Sequence, residues 1–85
     1  MIKPLVAGNW KMHGSTEKAS NLAAQLAEQW GDNLAVEMVL FPPFVHLSAV
    51  KAAVANTGIA VGAQNLSQHS SGAYTGEISG AMLVD

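Results

Sequence analysis

Leu5-Val6-Ala7-Gly8-Asn9-Trp10-Lys11 is an apolar segment that ends in an amide side chain and a cation. The apolar run predicts a β-strand from Leu5 to Asn9. On an extended backbone Asn9 and Lys11 would project from the same face, because they are two residues apart. Open α/β sheets bind ligands outside the carboxyl ends of their strands. The segment therefore makes Asn9 and Lys11 candidate binding residues.

A helix is predicted after this strand. Gly14-Ser15-Thr16 supplies a turn and an N-cap, and Gly31 supplies a stop signal. Between them an amphipathic stripe recurs at helical spacing, formed by Ala19, Leu22, Ala23, Leu26, Ala27 and Trp30.

The same alternation continues to the end of the chain. A second strand is predicted over residues 35–41, and a second helix from about residue 44 to residues 56–58. A third strand over 59–63, a polar loop over 65–76 and a helix over 77–84 follow. The pattern predicts one α/β domain over residues 1–85, with the order β-α-β-α-β-α and a three-stranded parallel sheet.

Composition excludes several classes of function. The 85 residues are 49% hydrophobic and only 12% charged, and the net charge is −2. Four lysines without any arginine cannot form a basic patch, so neither nucleic-acid binding nor membrane-surface binding is expected. Cysteine is absent, and no signal peptide or membrane-spanning segment is recognisable. A cytoplasmic protein is the default expectation.

Few side chains suggest chemistry by themselves. Lys11 is either a cation for an anionic substrate or a solvated loop lysine, and Asn9 is either a ligand or a turn residue. His13, His46 and His69 do not share a metal-ligand spacing, so no metal site is expected. Glu77 is interpreted as a residue that compensates the dipole at the start of the last helix.

The polar loop is longer than most connections in compact domains. Its tip, Gly72-Ala73-Tyr74-Thr75-Gly76, places an aromatic residue between glycines. This composition favours insertion into a partner's pocket, and the alternative is a mobile surface loop.

These motifs together resemble one known family. Residues 7–12, Ala-Gly-Asn-Trp-Lys-Met, resemble the first strand and active-site turn of the triosephosphate isomerase family. Further along the chain the resemblance includes the ends of its second and third strands, and its dimer-interface loop with the helix that follows, in Phe41-Pro42-Pro43, Gly62-Ala63-Gln64-Asn65 and residues 72–79.

The resemblance implies a (βα)₈ barrel that interconverts dihydroxyacetone phosphate and glyceraldehyde 3-phosphate without a cofactor. It implies that Asn9 and Lys11 bind substrate, with Lys11 supplying positive charge. It also implies that Tyr74, Thr75, Gly76 and Glu77 belong to a subunit-interface loop. In that arrangement Thr75 reaches toward Asn9 of the second subunit.

A complete barrel of this type has about 250 residues. The resemblance places the family's catalytic histidine after strand four and its glutamate after strand six, so neither His13, His46, His69 nor Glu77 is assigned an acid–base role. The expectation is a partial barrel that folds without isomerase activity. Two alternatives remain: one piece of a split isomerase, or a weak binding module for an anion or sugar phosphate.

Strand two is central in the family's strand order, so strands one and three would have free edges. The inner face of the sheet, with Leu5 and Ala7, would also lack an opposite wall. The sequence therefore predicts a homo-oligomer that forms through the sheet edges, the inner sheet face or the 65–77 loop.

Overall fold

The computed structural model describes residues 2–31, 33 and 35–85. Three strands form one parallel sheet in the order β1-β2-β3, with β1 at Leu5–Asn9, β2 at Glu37–Phe41 and β3 at Ala60–Val61. The helices are α1 at Thr16–Trp30, α2 at Leu47–Ala53 and α3 at Gly80–Val84, and a 3₁₀ turn at Phe44–His46 precedes α2. The predicted class, element order and central position of the second strand are confirmed.

Helix α1 begins and ends where the sequence predicts. The Ser15 hydroxyl accepts a hydrogen bond from the Lys18 N–H at 3.2 Å, which satisfies one free donor of the first turn. Gly31 ends the helix at φ 59°, a left-handed conformation that glycine adopts without steric cost. Ala19 and Ala23 are buried on the predicted stripe, whereas Leu22 is exposed.

The core lies between the helices and the central strand. Its buried members come from α1, β2, α2 with its C-cap residue, and the segment before β3: Ala19, Ala23, Leu40, Val50, Val54 and Ile59. Trp10 and Trp30 pack against this cluster from its margins. Helix α1 packs on α2, and no residue of β1 belongs to the buried cluster, so β1 contributes little to the core.

Two predicted strand boundaries were too wide. Strand β2 begins at Glu37 rather than at residue 35, because the Asn33 side chain accepts a hydrogen bond from the Ala35 N–H at 2.9 Å and so occupies that donor. Strand β3 is only two residues long. The Thr57 hydroxyl holds the Ile59 N–H at 3.2 Å, which delays the start of the strand.

The last helix starts later than predicted. Its N-cap is Ser79, whose hydroxyl accepts from the Met82 N–H at 3.1 Å. Glu77 lies before the cap, and its N–H donates to the Tyr74 carbonyl at 3.0 Å within a turn. The interpretation of Glu77 as a first-turn residue that compensates a helix dipole is therefore wrong.

The faces of the sheet differ in how much they are covered. Leu5 is 59% exposed and Val6 is 51% exposed, so side chains on both faces of β1 reach solvent. Ala7 is also exposed, as expected for an inner face without an opposite wall. None of the helices described is both long and apolar enough to cross a membrane.

Candidate functional site

The carboxyl ends of the three strands meet at one edge of the sheet. Asn9, the last residue of β1, is in register with Phe41, the last residue of β2. The Trp10 N–H continues this pairing by donating to the Phe41 carbonyl at 3.1 Å. The chain then leaves the sheet, which places Lys11 just beyond the edge.

Lys11 does not continue the extended backbone of β1. Its φ is 54°, in the left-handed region that a residue with a Cβ seldom adopts. The prediction that Asn9 and Lys11 project from the same face assumed an extended backbone, and that assumption is wrong at Lys11. The two residues are brought together by a turn at the end of β1.

The turn is held by the side chain of Asn9. Its Oδ1 accepts a hydrogen bond from the Lys11 N–H at 3.0 Å, the short-range contact that asparagine often makes two residues along a turn. Asn9 is thus the turn residue that one interpretation of the sequence proposed. Its other amide atoms stay available because the residue is exposed.

A third residue completes this corner of the sheet. The Gln64 side-chain Nε2 donates to the Lys11 carbonyl at 2.9 Å and to the Phe41 carbonyl at 2.8 Å. Gln64 belongs to the segment Gly62-Ala63-Gln64-Asn65, but no role was predicted for it from the sequence. The available signal was its place just after the third strand, where an amide can reach the ends of the neighbouring strands.

We call Asn9, Lys11 and Gln64 the strand-end corner. All three are exposed, and the corner presents one ammonium group and two carboxamides at the sheet edge. An ammonium is a compact point charge with three donors, suited to a phosphate or carboxylate oxygen. The arrangement can bind and orient a small anion.

Within the described part of the chain, the three histidines are not grouped with other metal-ligating side chains. Across residues 2–31, 33 and 35–85, no three histidine, aspartate or glutamate side chains are grouped so as to hold a metal ion. His46 is buried at the end of the 3₁₀ turn, while His13 and His69 lie in exposed loops.

The 65–77 loop has an ordered internal structure. Its base is closed by a hydrogen bond from the Ser67 N–H to the Ile78 carbonyl at 2.7 Å. At its tip the rings of His69 and Tyr74 stack with centroids 4.1 Å apart and planes inclined by 2°. Thr75 and Gly76 form the exposed turn after this stack.

The predicted interface residues Tyr74, Thr75, Gly76 and Glu77 thus share one exposed turn, closed by the hydrogen bond from the Glu77 N–H to the Tyr74 carbonyl. Tyr74 is 46% exposed, and its ring stacks on that of His69 in the same loop. The contact of Thr75 with a second subunit stays a prediction.

Comparison with known proteins agrees with the motifs at this sheet edge. The family model for triosephosphate isomerase matches residues 4–85. The triosephosphate isomerase of Symbiobacterium thermophilum is 46% identical over 85 residues, which is 100% of this chain and 33% of that protein.

Other relatives give the same result. The triosephosphate isomerase of Coxiella burnetii strain Dugway is 48% identical over 83 residues, with 98% of this chain and 32% of that protein covered. The one from Thiobacillus denitrificans is 49% identical over 86 residues, with 100% of this chain and 33% of that protein covered.

The chain spans about a third of the length of the curated relatives it matches. The match runs through all three strands and through the strand-end corner, which accounts for the partial barrel seen in the fold. The chain belongs to the triosephosphate isomerase family.

Proposed function

We propose that these 85 residues supply a substrate-binding corner for the isomerisation of triose phosphates, in which Asn9 and Lys11 contact the phosphorylated substrate. We further propose that the 85-residue chain alone does not turn over substrate and associates with itself. The activity belongs to relatives about three times as long.

The observation that carries the proposal is the geometry of Lys11. Its backbone occupies a disfavoured conformation at the carboxyl edge of the sheet, and side-chain amides hold both of its peptide groups. Such conformations cost about 1–3 kcal/mol and persist mainly where a binding or catalytic group must be held in position. These observations therefore favour a binding role for the strand-end corner over the alternative of a solvated loop.

Electrostatics agrees with an anionic substrate. The chain has four lysines and no arginine, and one of the lysines, Lys11, follows β1 at this edge, where its backbone is hydrogen-bonded to the Asn9 and Gln64 side chains. A lysine ammonium attracts a phosphate dianion and can stabilise negative charge that develops on a nearby oxygen. A single cation gives weak binding alone, so the corner is proposed as one part of a site.

Proton transfer is not assigned to any residue of this segment. Isomerisation needs a base and an acid in contact with the substrate, and each contributes about 10²–10⁴-fold to the rate. Asn9 and Gln64 are carboxamides, which do not act as bases, and Lys11 is proposed only as a cation that contacts substrate. We therefore expect turnover only when a further polypeptide supplies these groups.

Complementation tests the proposed activity. The 85-residue chain is mixed with a polypeptide that contains the remaining two-thirds of the Symbiobacterium thermophilum relative, and glyceraldehyde 3-phosphate conversion is followed by a coupled assay. We expect no turnover by either part and measurable turnover by the mixture. In the mixture, Lys11→Ala should lower kcat/KM by about 10- to 100-fold, since it removes a charged contact.

Lys18→Ala is the matched control, because Lys18 is an exposed lysine of helix α1 and does not belong to the strand-end corner. It should leave kcat/KM within about twofold, as expected for a surface substitution. Turnover that survives Lys11→Ala unchanged would refute a binding role for the corner. Turnover by the 85-residue chain alone would refute the proposed division of the activity.

We propose self-association because the chain exposes more surface than a compact monomer of its mass. The chain exposes 6250 Å², whereas a compact monomer of this mass exposes only about 4,800 Å². The excess of roughly 1,400 Å² exceeds the ~800 Å² that each partner contributes to an interface of standard size. The radius of gyration, 13.9 Å, likewise exceeds the ~12 Å expected for 85 residues in a compact domain.

A second copy of the chain is the proposed occupant of this surface, and β1 is the proposed contact. Its free edge offers unpaired backbone groups, and Leu5 and Val6 offer apolar side chains on opposite faces. Paired β1 strands would cover the edge and the apolar area together.

Light scattering after size-exclusion chromatography measures the oligomer mass. At tens of micromolar we expect a dimer or larger species, and Val6→Lys should shift it to monomer. Leu22→Lys, a similar change at an exposed leucine of α1, should leave the mass unchanged. A stable, soluble wild-type monomer at these concentrations, or an equal effect of both variants, would contradict the proposed contact.

A further inference from the structure

We infer that Gln64 is a positioning residue that sets the backbone of Lys11, and through it the direction from which the Lys11 ammonium meets the substrate. The inference rests on the proposed function of the strand-end corner. Gln64 itself is not assigned any contact with substrate.

The hydrogen-bond pattern fixes which end of the Gln64 amide faces the corner. Both acceptors are backbone carbonyls, those of Lys11 at 2.9 Å and Phe41 at 2.8 Å. A carboxamide carries two N–H donors on its nitrogen and only acceptors on its oxygen. Only the NH₂ group can therefore satisfy both carbonyls, and the side chain has one orientation.

This contact completes the restraint on Lys11. Asn9 Oδ1 holds the Lys11 N–H at 3.0 Å, and Gln64 holds the Lys11 carbonyl. The peptide groups before and after Lys11 are thus both fixed, which determines the disfavoured φ of 54° between them. Without Gln64 only the first peptide group would be held, and the backbone could relax toward a common conformation.

Gln64 links the turn at Lys11 to strand β2. The Gly62 N–H donates to the Leu40 carbonyl at 2.9 Å, so the chain that precedes Gln64 is bound to β2. A Cβ on Gly62 would lie 2.6 Å from the Phe41 ring carbon Cε1, which shows how closely this chain passes the end of β2. The close approach brings the Gln64 side chain within reach of the Phe41 carbonyl.

The Phe41 carbonyl is the shared anchor. It accepts from the Trp10 N–H at 3.1 Å and from Gln64 Nε2 at 2.8 Å. The residue after β1, the last residue of β2 and a residue that follows β3 therefore meet at one oxygen atom. Because Gln64 also donates to the Lys11 carbonyl, a shift of Phe41 or of Gln64 would change the position of that carbonyl.

Gln64→Met tests the inference, because methionine has a similar length and carries no N–H donor. Gln64→Glu is the second variant, since an ionised carboxylate has the shape of the amide but cannot donate. Gln25→Met is the matched control, as Gln25 is an exposed glutamine of α1. Far-UV circular dichroism confirms that each variant is folded.

The first readout is the backbone of Lys11 in the 85-residue chain. A residue with positive φ gives a strong intraresidue cross-peak between its amide and α hydrogens in a nuclear Overhauser spectrum. We expect this cross-peak at Lys11 in the wild-type chain and in Gln25→Met. It should weaken in Gln64→Met and in Gln64→Glu.

The second readout is kinetic and uses the mixture with the complementary polypeptide. A displaced Lys11 ammonium binds the phosphate less well before and during the reaction, so KM should rise by about tenfold with kcat little changed. A purely structural role would instead lower the fraction of folded enzyme, which reduces the apparent kcat at constant KM.

The inference is overturned if Gln64→Met keeps the Lys11 cross-peak, or if KM stays at the wild-type value. Its failure is distinct from that of the proposed function. If the wild-type mixture shows no turnover, the proposed activity fails, and the spectrum of Lys11 still decides whether Gln64 sets its backbone.

Discussion

Strands β1 and β2 have the same length and a similar apolar character, yet their surroundings differ. Strand β2 is paired on both sides, and its Leu40 is 2% exposed in the centre of the core. Strand β1 is paired on one side only, and its Leu5 is 59% exposed. The strand that carries Asn9 and leads into Lys11 is therefore the one that contributes less to stability.

The difference indicates that the core and the proposed binding site depend on different strands of this segment. The core depends on β2 and on the two helices packed over it, whereas the strand-end corner begins at the end of β1. The corner is held by three side-chain hydrogen bonds instead of by apolar packing. Substitutions should accordingly separate the two properties.

Truncation of a leucine on each strand should give the largest difference. Leu40→Ala creates a cavity beneath the helices and should cost about 2–5 kcal/mol of unfolding free energy. Leu5→Ala should cost less than about 0.5 kcal/mol in dilute solution, where the side chain is already exposed. Urea unfolding followed by circular dichroism measures both values.

Protein concentration should affect the free-energy cost of only one of these two substitutions. Because self-association would bury Leu5, the cost of Leu5→Ala should grow with concentration while that of Leu40→Ala does not. Equal costs for the two variants in dilute solution would contradict the assignment of the core to β2.

The helices that follow the two strands should also differ. Helix α1 has a serine N-cap, whereas neither the 3₁₀ turn nor α2 has a side-chain cap. Ser15→Ala should cost about 1 kcal/mol of unfolding free energy. Ser48→Ala, at an exposed site in α2, should stay within about 0.5 kcal/mol. Thermal unfolding of the two variants checks the difference, and a larger loss from Ser48→Ala would count against it.

The end of β1 should show a smaller effect that reports the strain at Lys11. Lys11→Gly should be more stable than Lys11→Ala by up to about 1 kcal/mol, since glycine adopts φ 54° without the Cβ conflict. Chemical unfolding of both variants gives the value. A less stable glycine variant would mean that the backbone of Lys11 is not left-handed in solution.

Much of the fold could be predicted because it depends on local patterns. The stripe of α1, its Ser15 cap and its Gly31 stop are all encoded within a few residues, and the strand Leu5–Asn9 is bounded as predicted. The starts of β2, β3 and α3 were misplaced because side chains of Asn33, Thr57 and Ser79 capture backbone N–H groups near each boundary.

The corner was predicted in part and for an incomplete reason. The residues Asn9 and Lys11 were identified, but their spacing suggested an extended backbone that Lys11 does not have. The role of Gln64 could not be deduced, because its contact with Lys11 joins positions 53 residues apart in the chain. Contacts of this kind depend on how the strands pack and leave little trace in local sequence.

Hydrogen–deuterium exchange tests most directly whether the core forms on β2 while β1 stays uncovered. In the dilute 85-residue chain, the amide hydrogens of β2 should exchange slowly and those of β1 much faster. Addition of the complementary polypeptide should slow the exchange of β1, with little change at β2. Equal protection of both strands in the dilute chain would contradict the account.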